Sequence, residues 1–162
     1  MTTILTIGRS GSYTFSAAHA GLHDGQFEPL HGHTYTVILK LRGEPGADGL
    51  VCDFTAVKHA LEELIRPLRR RTILAAQAPG IACEQCDGEV RVQGGGKRYS
   101  FPATDVVLLP VLNSSTEEIA GYLLRGLLPQ LDGDRVQLAE LTLAESPDAS
   151  ATVSGSPPGP LL

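Results

Sequence analysis

His31 and His33 stand at the head of a run, Thr34 to Leu41, that is rich in β-forming residues. Side chains at i and i+2 of a strand share a face, so both imidazoles point the same way. His19 closes an earlier strand-like run from Ser12 to Ala18. If the two strands are neighbours, three neutral imidazoles converge. That is the donor set of a catalytic zinc ion with an open fourth position. The competing reading is a polar strand face that binds nothing.

The elements that must position these residues follow from the chain on either side. Thr3 to Ile7 alternates weakly, and Gly8 to Ser12 is turn-like. Ala20 to Leu30 is a loop carrying His23, Asp24, Gln26 and Glu28, and Pro29 fixes its end. The strand behind the histidine pair ends at Gly43-Glu44-Pro45-Gly46. Leu50 to Phe54 is short and extended, and Thr55 can cap the helix that follows. Ala56, Val57, Ala60, Leu61, Leu64, Ile65 and Leu68 form its apolar stripe, which Pro67 should end. Between Gly80 and Pro110 the chain is β-like, with turns at Asp87-Gly88 and Gly94-Gly95-Gly96. Ser115-Thr116-Glu117-Glu118 is a capping-box pattern before a second stripe of Ile119, Ala120, Leu123, Leu124, Leu127 and Leu128. Val136 to Glu145 is a last strand. The expected architecture is an α+β domain over 1–147, an antiparallel sheet with two helices on one face. Residues 148–162 are rich in Ser, Pro and Gly and read as a disordered tail.

Composition narrows the function classes. The chain has 162 residues, 42% hydrophobic and 19% charged, with a formal charge of −5. That charge argues against binding along a nucleic-acid backbone, which needs a basic surface. No apolar run approaches the ~20 residues of a membrane span. Met1 to Leu5 lacks the basic region of a secretory leader, so none is expected. Three cysteines, an odd number, do not read as a disulfide framework, and a reducing cytoplasm is the expected compartment. Cys83 and Cys86 could be half of a zinc site lacking two ligands, or part of an ordinary hairpin.

Five stretches taken in order carry a resemblance. They are Phe15-Ser16-Ala17-Ala18-His19, Leu30-His31-Gly32-His33-Thr34-Tyr35, Val51-Cys52-Asp53-Phe54, Asn113-Ser114-Ser115-Thr116-Glu117, and Glu145 in the last strand. Together they resemble the 6-pyruvoyltetrahydropterin synthase / 6-carboxytetrahydropterin synthase family, over roughly residues 3–146. The resemblance implies a tunnelling fold, whose sheets close into a barrel on oligomerisation, usually as a hexamer of two trimers. It implies Zn2+ held by His19, His31 and His33, and a pterin substrate reshaped at its C6 side chain. It also implies that Glu145 anchors the pterin ring. One carboxylate can accept from both donors of the 2-amino and N3–H edge, although a strand-end acid can equally be a surface group. Ser115 and Glu117 match the family's substrate-binding stretch and can cap the second helix as well.

The chain departs from the family in three places. The cysteine that usually precedes His-Gly-His is missing from Ala20–Leu30, and Glu28 stands three residues before His31. That pattern resembles the type III subgroup, in which glutamate replaces cysteine and 7,8-dihydroneopterin is cleaved to 6-hydroxymethyl-7,8-dihydropterin. Glu28 is then the expected catalytic base, or else a loop acid. The family's Asp-His pair is replaced by Arg69 and Arg70, which cannot relay protons. They could bind a phosphate or carboxylate, or complement a helix C-terminus. His23 or Asp24 is a candidate replacement for the relay. Residues near 76–105 are longer than a compact family member needs and read as a β-hairpin insertion. The expected function is a zinc-dependent pterin lyase or synthase. The alternatives are 6-carboxy- or 6-pyruvoyltetrahydropterin synthesis, a non-catalytic pterin-binding relative, and a metal-stabilised scaffold.

Overall fold

A computed structural model describes residues 1–159. In chain order the elements are β1 (Thr3–Ile7), β2 (Thr14–His19), β3 (Leu22–His23), β4 (Gln26–Phe27), β5 (His31–Gly43) and α1 (Phe54–Ile65). They continue with β6 (Thr72–Ala75), β7 (Ala82–Cys86), β8 (Glu89–Gly94), β9 (Lys97–Pro102), β10 (Val106–Leu109), α2 (Thr116–Leu127), β11 (Val136–Ser146) and β12 (Ala149–Gly155).

Strand β5 organises the sheet. Its odd-numbered residues Tyr35, Val37, Leu39 and Leu41 are all buried, the period-2 signature of a half-buried strand. Its first half pairs antiparallel with β2, its second half with β1, and its other edge with β11 along most of its length. The sheet runs β10-β6-β2-β5-β11-β12, with β1 beside β5. The expected antiparallel sheet is in fact mixed, because β6 runs parallel to both β2 and β10. The chain between β2 and β6 runs through β5 and α1, and that between β6 and β10 through β7–β9, the long connections that parallel neighbours require.

Both helices share one core with the sheet. Their apolar stripes form as the spacing predicts: Val57, Ala60, Leu61 and Ile65 are buried on α1, and Ile119, Ala120, Leu123, Leu124 and Leu127 on α2. Asp53, not Thr55, caps α1, its carboxylate accepting from the Thr55 N–H at 2.7 Å. Ser115 caps α2, accepting from the Glu118 N–H at 3.4 Å. Pro67 sits in a short 3₁₀ turn that ends the first helix. Leu123 is fully buried between helix and sheet. Leu123→Ala is expected to cost about 2–5 kcal/mol of stability, read from urea unfolding, without altering the polar cleft described below.

Two expectations need correction. The chain from residue 148 is not a disordered tail: Ala149–Gly155 forms strand β12 along β11. Four of its seven residues are Ser or Ala, a weak strand signal; main-chain pairing to β11 and packing of Val153 against the core hold it. Pro160, Leu161 and Leu162, at the end of that segment, lie outside the described residues. The expected hairpin near 76–105 is a separate three-stranded sheet, β7-β8-β9, turning at the two glycine sites named above.

Candidate active site

The β2–β5 register places His19 directly opposite His31, with His33 two residues further along the same face. Burial of Phe15 against Tyr35 fixes that register, since a one-residue slip would put the two rings on opposite faces and turn one into solvent. The ring centroids lie 4.5 Å apart for His19–His31, 5.2 Å for His19–His33 and 4.9 Å for His31–His33. One ligand nitrogen from each lies within 4.8 Å of the others.

Hydrogen bonds orient the rings. Nδ1 of His19 donates to the Ser114 carbonyl at 2.7 Å, and Nδ1 of His31 donates to the Pro29 carbonyl at 2.8 Å. Carbonyl oxygens only accept, so Nδ1 carries the proton and Nε2 is left with its lone pair. Such outer contacts set the tautomer of metal-binding histidines. Nε2 of His19 is buried and has no hydrogen-bond partner among the described residues, which is costly unless something fills the position. Burial lowers the pKa of His19 despite the opposing pull of the Ser114 carbonyl, and the neighbouring imidazoles lower it further. The ring therefore favours its neutral, donor form. These residues fit a divalent metal with nitrogen ligands.

A cleft of about 420 Å³ opens over the three rings. Glu28, His23, Ser115, Glu117 and Glu145 all line it. The structure thus brings His19, His31, His33, Glu28, Ser115, Glu117 and Glu145 to one place. Glu28 is exposed, and the loop carrying it is tightened by a small hairpin, β3–β4. Asp24 stands 3.5 Å from His23, and both are largely exposed. Glu145 occupies a bulge in β11, where the register with β12 shifts between Ala144 and Ser146. Bulges re-aim side chains beside sites of this kind, and Glu145 turns into the cleft.

Four contributors emerge only from the structure. Thr116 donates its hydroxyl to the Glu145 carboxylate. Asn113 makes two bonds to Leu22, accepting from its N–H at 2.8 Å and donating to its carbonyl at 2.9 Å. Ser114 donates to the Ala20 carbonyl at 3.0 Å, tying the same loop. Tyr35 continues the His31–His33 face, and its buried hydroxyl has no partner among the described residues. Burial pushes its pKa well above the ordinary phenol value, with the Glu145 carboxylate adding to the shift, so it stays a proton donor. The i+2 continuation from His33 to Tyr35 could have flagged this residue. Asn113 and Ser114 act through contacts between segments more than ninety residues apart, and Thr116 through one spanning 29 residues, which local pattern does not reveal. Strand β12 supplies Ala149, Ser150 and Ala151 to the far wall.

Arg69 and Arg70 lie outside the cleft. Arg69 forks onto Glu62 of α1. Arg70 and Arg71 border a separate shallow surface beside Ser16, Gly32 and Thr34. Cys83 and Cys86 are three apart on strand β7, which directs their side chains to opposite faces and does not form half of a metal site. No helix among the described residues is long and apolar enough to cross a membrane.

A family model described as 6-pyruvoyl tetrahydropterin synthase matches residues 10–156. A Methanocaldococcus jannaschii protein inferred to be a 6-carboxy-5,6,7,8-tetrahydropterin synthase is 33% identical over 116 residues, 71% of each chain. The crystal structure of 6-pyruvoyl tetrahydropterin synthase from Plasmodium vivax superposes with a TM-score of 0.88 at 31% identity, over 96% of this chain and 99% of that one. The same P. vivax protein has been solved with a glutamate described as a catalytic residue replaced by alanine.

Proposed function

The chain belongs to the 6-pyruvoyl tetrahydropterin synthase family, and from that premise we propose that it is a zinc-dependent lyase of the type III kind. It acts on the C6 side chain of 7,8-dihydroneopterin or its triphosphate and yields 6-hydroxymethyl-7,8-dihydropterin. The observation that carries this reading is the position of Glu28, on the same cleft as the three imidazoles and Glu145. The loop holding it contains no cysteine, and the P. vivax relative uses a glutamate described as catalytic.

His19, His31 and His33 would hold the zinc ion, which when bound would polarise the side-chain oxygens of the substrate. Glu28 takes the proton from the C2′ hydroxyl. The C1′–C2′ bond then breaks, and C2′ and C3′ leave as a two-carbon hydroxyaldehyde, with any phosphates on that fragment. C1′ takes up a proton and becomes the hydroxymethyl carbon. The electron pair left at C1′ is delocalised into the adjacent C6=N5 bond of the dihydropterin in the interim. Glu145 accepts from the 2-amino and N3–H donors of the ring, and the Thr116 hydroxyl holds that carboxylate in place. Ser115 and Glu117 also line the cleft, where they would meet the remaining polar groups of the substrate. The single chain leaves β10 and β12 as sheet edges, which supports assembly of copies into the family's closed barrel.

Glu145→Gln is expected to raise KM on the order of 10- to 100-fold, because an amide N–H then faces a donor on the ring. Metal content should not change, and steady-state kinetics with metal analysis checks both.

The name of the M. jannaschii relative favours a second reading, conversion of dihydroneopterin triphosphate to 6-carboxytetrahydropterin. Product analysis separates the two. Zinc-loaded protein is incubated with dihydroneopterin and, separately, with its triphosphate. The first reading predicts the hydroxymethyl product, and the second predicts a carboxylated product from the triphosphate alone. Tight binding of either substrate with no turnover would show a pterin-binding relative and overturn both.

A further inference from the structure

The β3–β4 hairpin is two residue pairs long, too short to hold a shape by itself. Each of its arms is tied from outside. The first arm is fixed at Leu22 by Asn113. The second arm is fixed at Phe27, one residue before Glu28, by the β8–β9 turn. The Phe27 N–H donates to the Gly95 carbonyl at 3.0 Å. Phe27 is 8% exposed and packs in a small cluster with Val90 and Val92. Its ring meets Tyr99 edge-on, with centroids 6.1 Å apart. The approach at the turn is close: a Cβ on Gly95 would lie 2.7 Å from the Phe27 nitrogen and 3.0 Å from its ring. The next residue, Gly96, has the same left-handed backbone and open space around it.

We infer that the Gly95 turn of the three-stranded sheet is a positioning element that docks on Phe27 and holds Glu28 over the histidine cluster. The inference rests on the reading of Glu28 given above and extends it. The sheet is then part of the machinery of the site. Glu28 has no side-chain hydrogen bond of its own among the described residues, and its backbone N–H donates to the Gly21 carbonyl at 2.9 Å. Its placement depends on the backbone on either side.

A matched pair of variants tests this. Gly95→Ala and Gly96→Ala both put a side chain at a positive φ, of +55° and +74°, so they share the conformational penalty. Only the first also pushes a methyl group into Phe27. Gly95→Ala is expected to lower kcat on the order of 10- to 100-fold, the effect of displacing a catalytic group by about 1 Å. KM and zinc stoichiometry should hold, and amide hydrogen exchange at Phe27 and Glu28 should quicken. Gly96→Ala should show none of these changes. If Gly95→Ala does not accumulate, Phe27→Leu, which drops the ring contact but keeps the N–H bond, is read in the same way. Unchanged kcat in Gly95→Ala beside a full loss in Glu28→Gln overturns the inference alone. An equal loss in Gly96→Ala also overturns it. Full turnover in Glu28→Gln removes the proton-transfer reading and the inference with it.

Discussion

Glu28→Gln is expected to lower turnover by two to four orders of magnitude, the usual contribution of a positioned acid–base group. The substitution keeps size and polarity and removes only the ability to accept a proton. Glu28 lines the cleft but is not one of the three grouped nitrogen ligands, so metal binding should be unaffected. The ring is assigned to Glu145, so KM should change little. The pattern to look for is a fall in kcat and kcat/KM together, the mark of an interaction used in the transition state. It is measured by following pterin product over time, with zinc content and thermal stability determined on the same samples. Residual turnover within a few-fold of the natural protein would move the base elsewhere, and His23 is then a further titratable candidate on the cleft.

His33→Ala should have an effect as large by a different route. Two histidines cannot retain zinc as three do, and the variant should purify with little metal and no turnover. The fold should survive, because the core of helices and sheet lies beneath the site and does not include the ring of His33. A ligand that binds only the native state stabilises it in proportion to the logarithm of its concentration over Kd. Chelator should therefore lower the melting temperature of the natural protein and leave that of His33→Ala unmoved. A variant that keeps full zinc stoichiometry would remove His33 from the ligand set. Loss of folding in both metal-free forms would instead mean that zinc acts as a structural ion.

The site is more legible in the sequence than the frame around it. His19, His31 and His33 group together on sequence alone, because strand periodicity places i and i+2 on one face and a single antiparallel register brings in the third. Glu28 and Glu145 are legible only through resemblance, since a loop acid and a strand-end acid look like any surface carboxylate. Burial patterns on α1 and α2 follow their stripes closely, because a helix with one apolar face has one way to pack. Strand β6 is four residues long and follows three arginines, too little pattern to separate it from a loop. Strand β12 is mostly Ser, Ala and Gly, with Val153 alone reaching the core, so its identity comes largely from main-chain pairing to β11. Thr116, Ser114 and Asn113 act through hydrogen bonds across the fold, and nothing in their local sequence announces the partners. The cap of α1 falls to Asp53 and not Thr55 because the carboxylate two residues earlier reaches the free N–H of Thr55 itself.

Turnover of 7,8-dihydroneopterin by the zinc-loaded protein in D2O tests the central claim, cleavage of the side chain beside the ring at this cleft. Breaking C1′–C2′ leaves C1′ to collect one proton from the site. The hydroxymethyl product should therefore carry one deuterium on its exocyclic carbon, released together with a two-carbon hydroxyaldehyde, and both should vanish in Glu28→Gln. A product that keeps all three side-chain carbons, or no product from a protein with full zinc content, would contradict it.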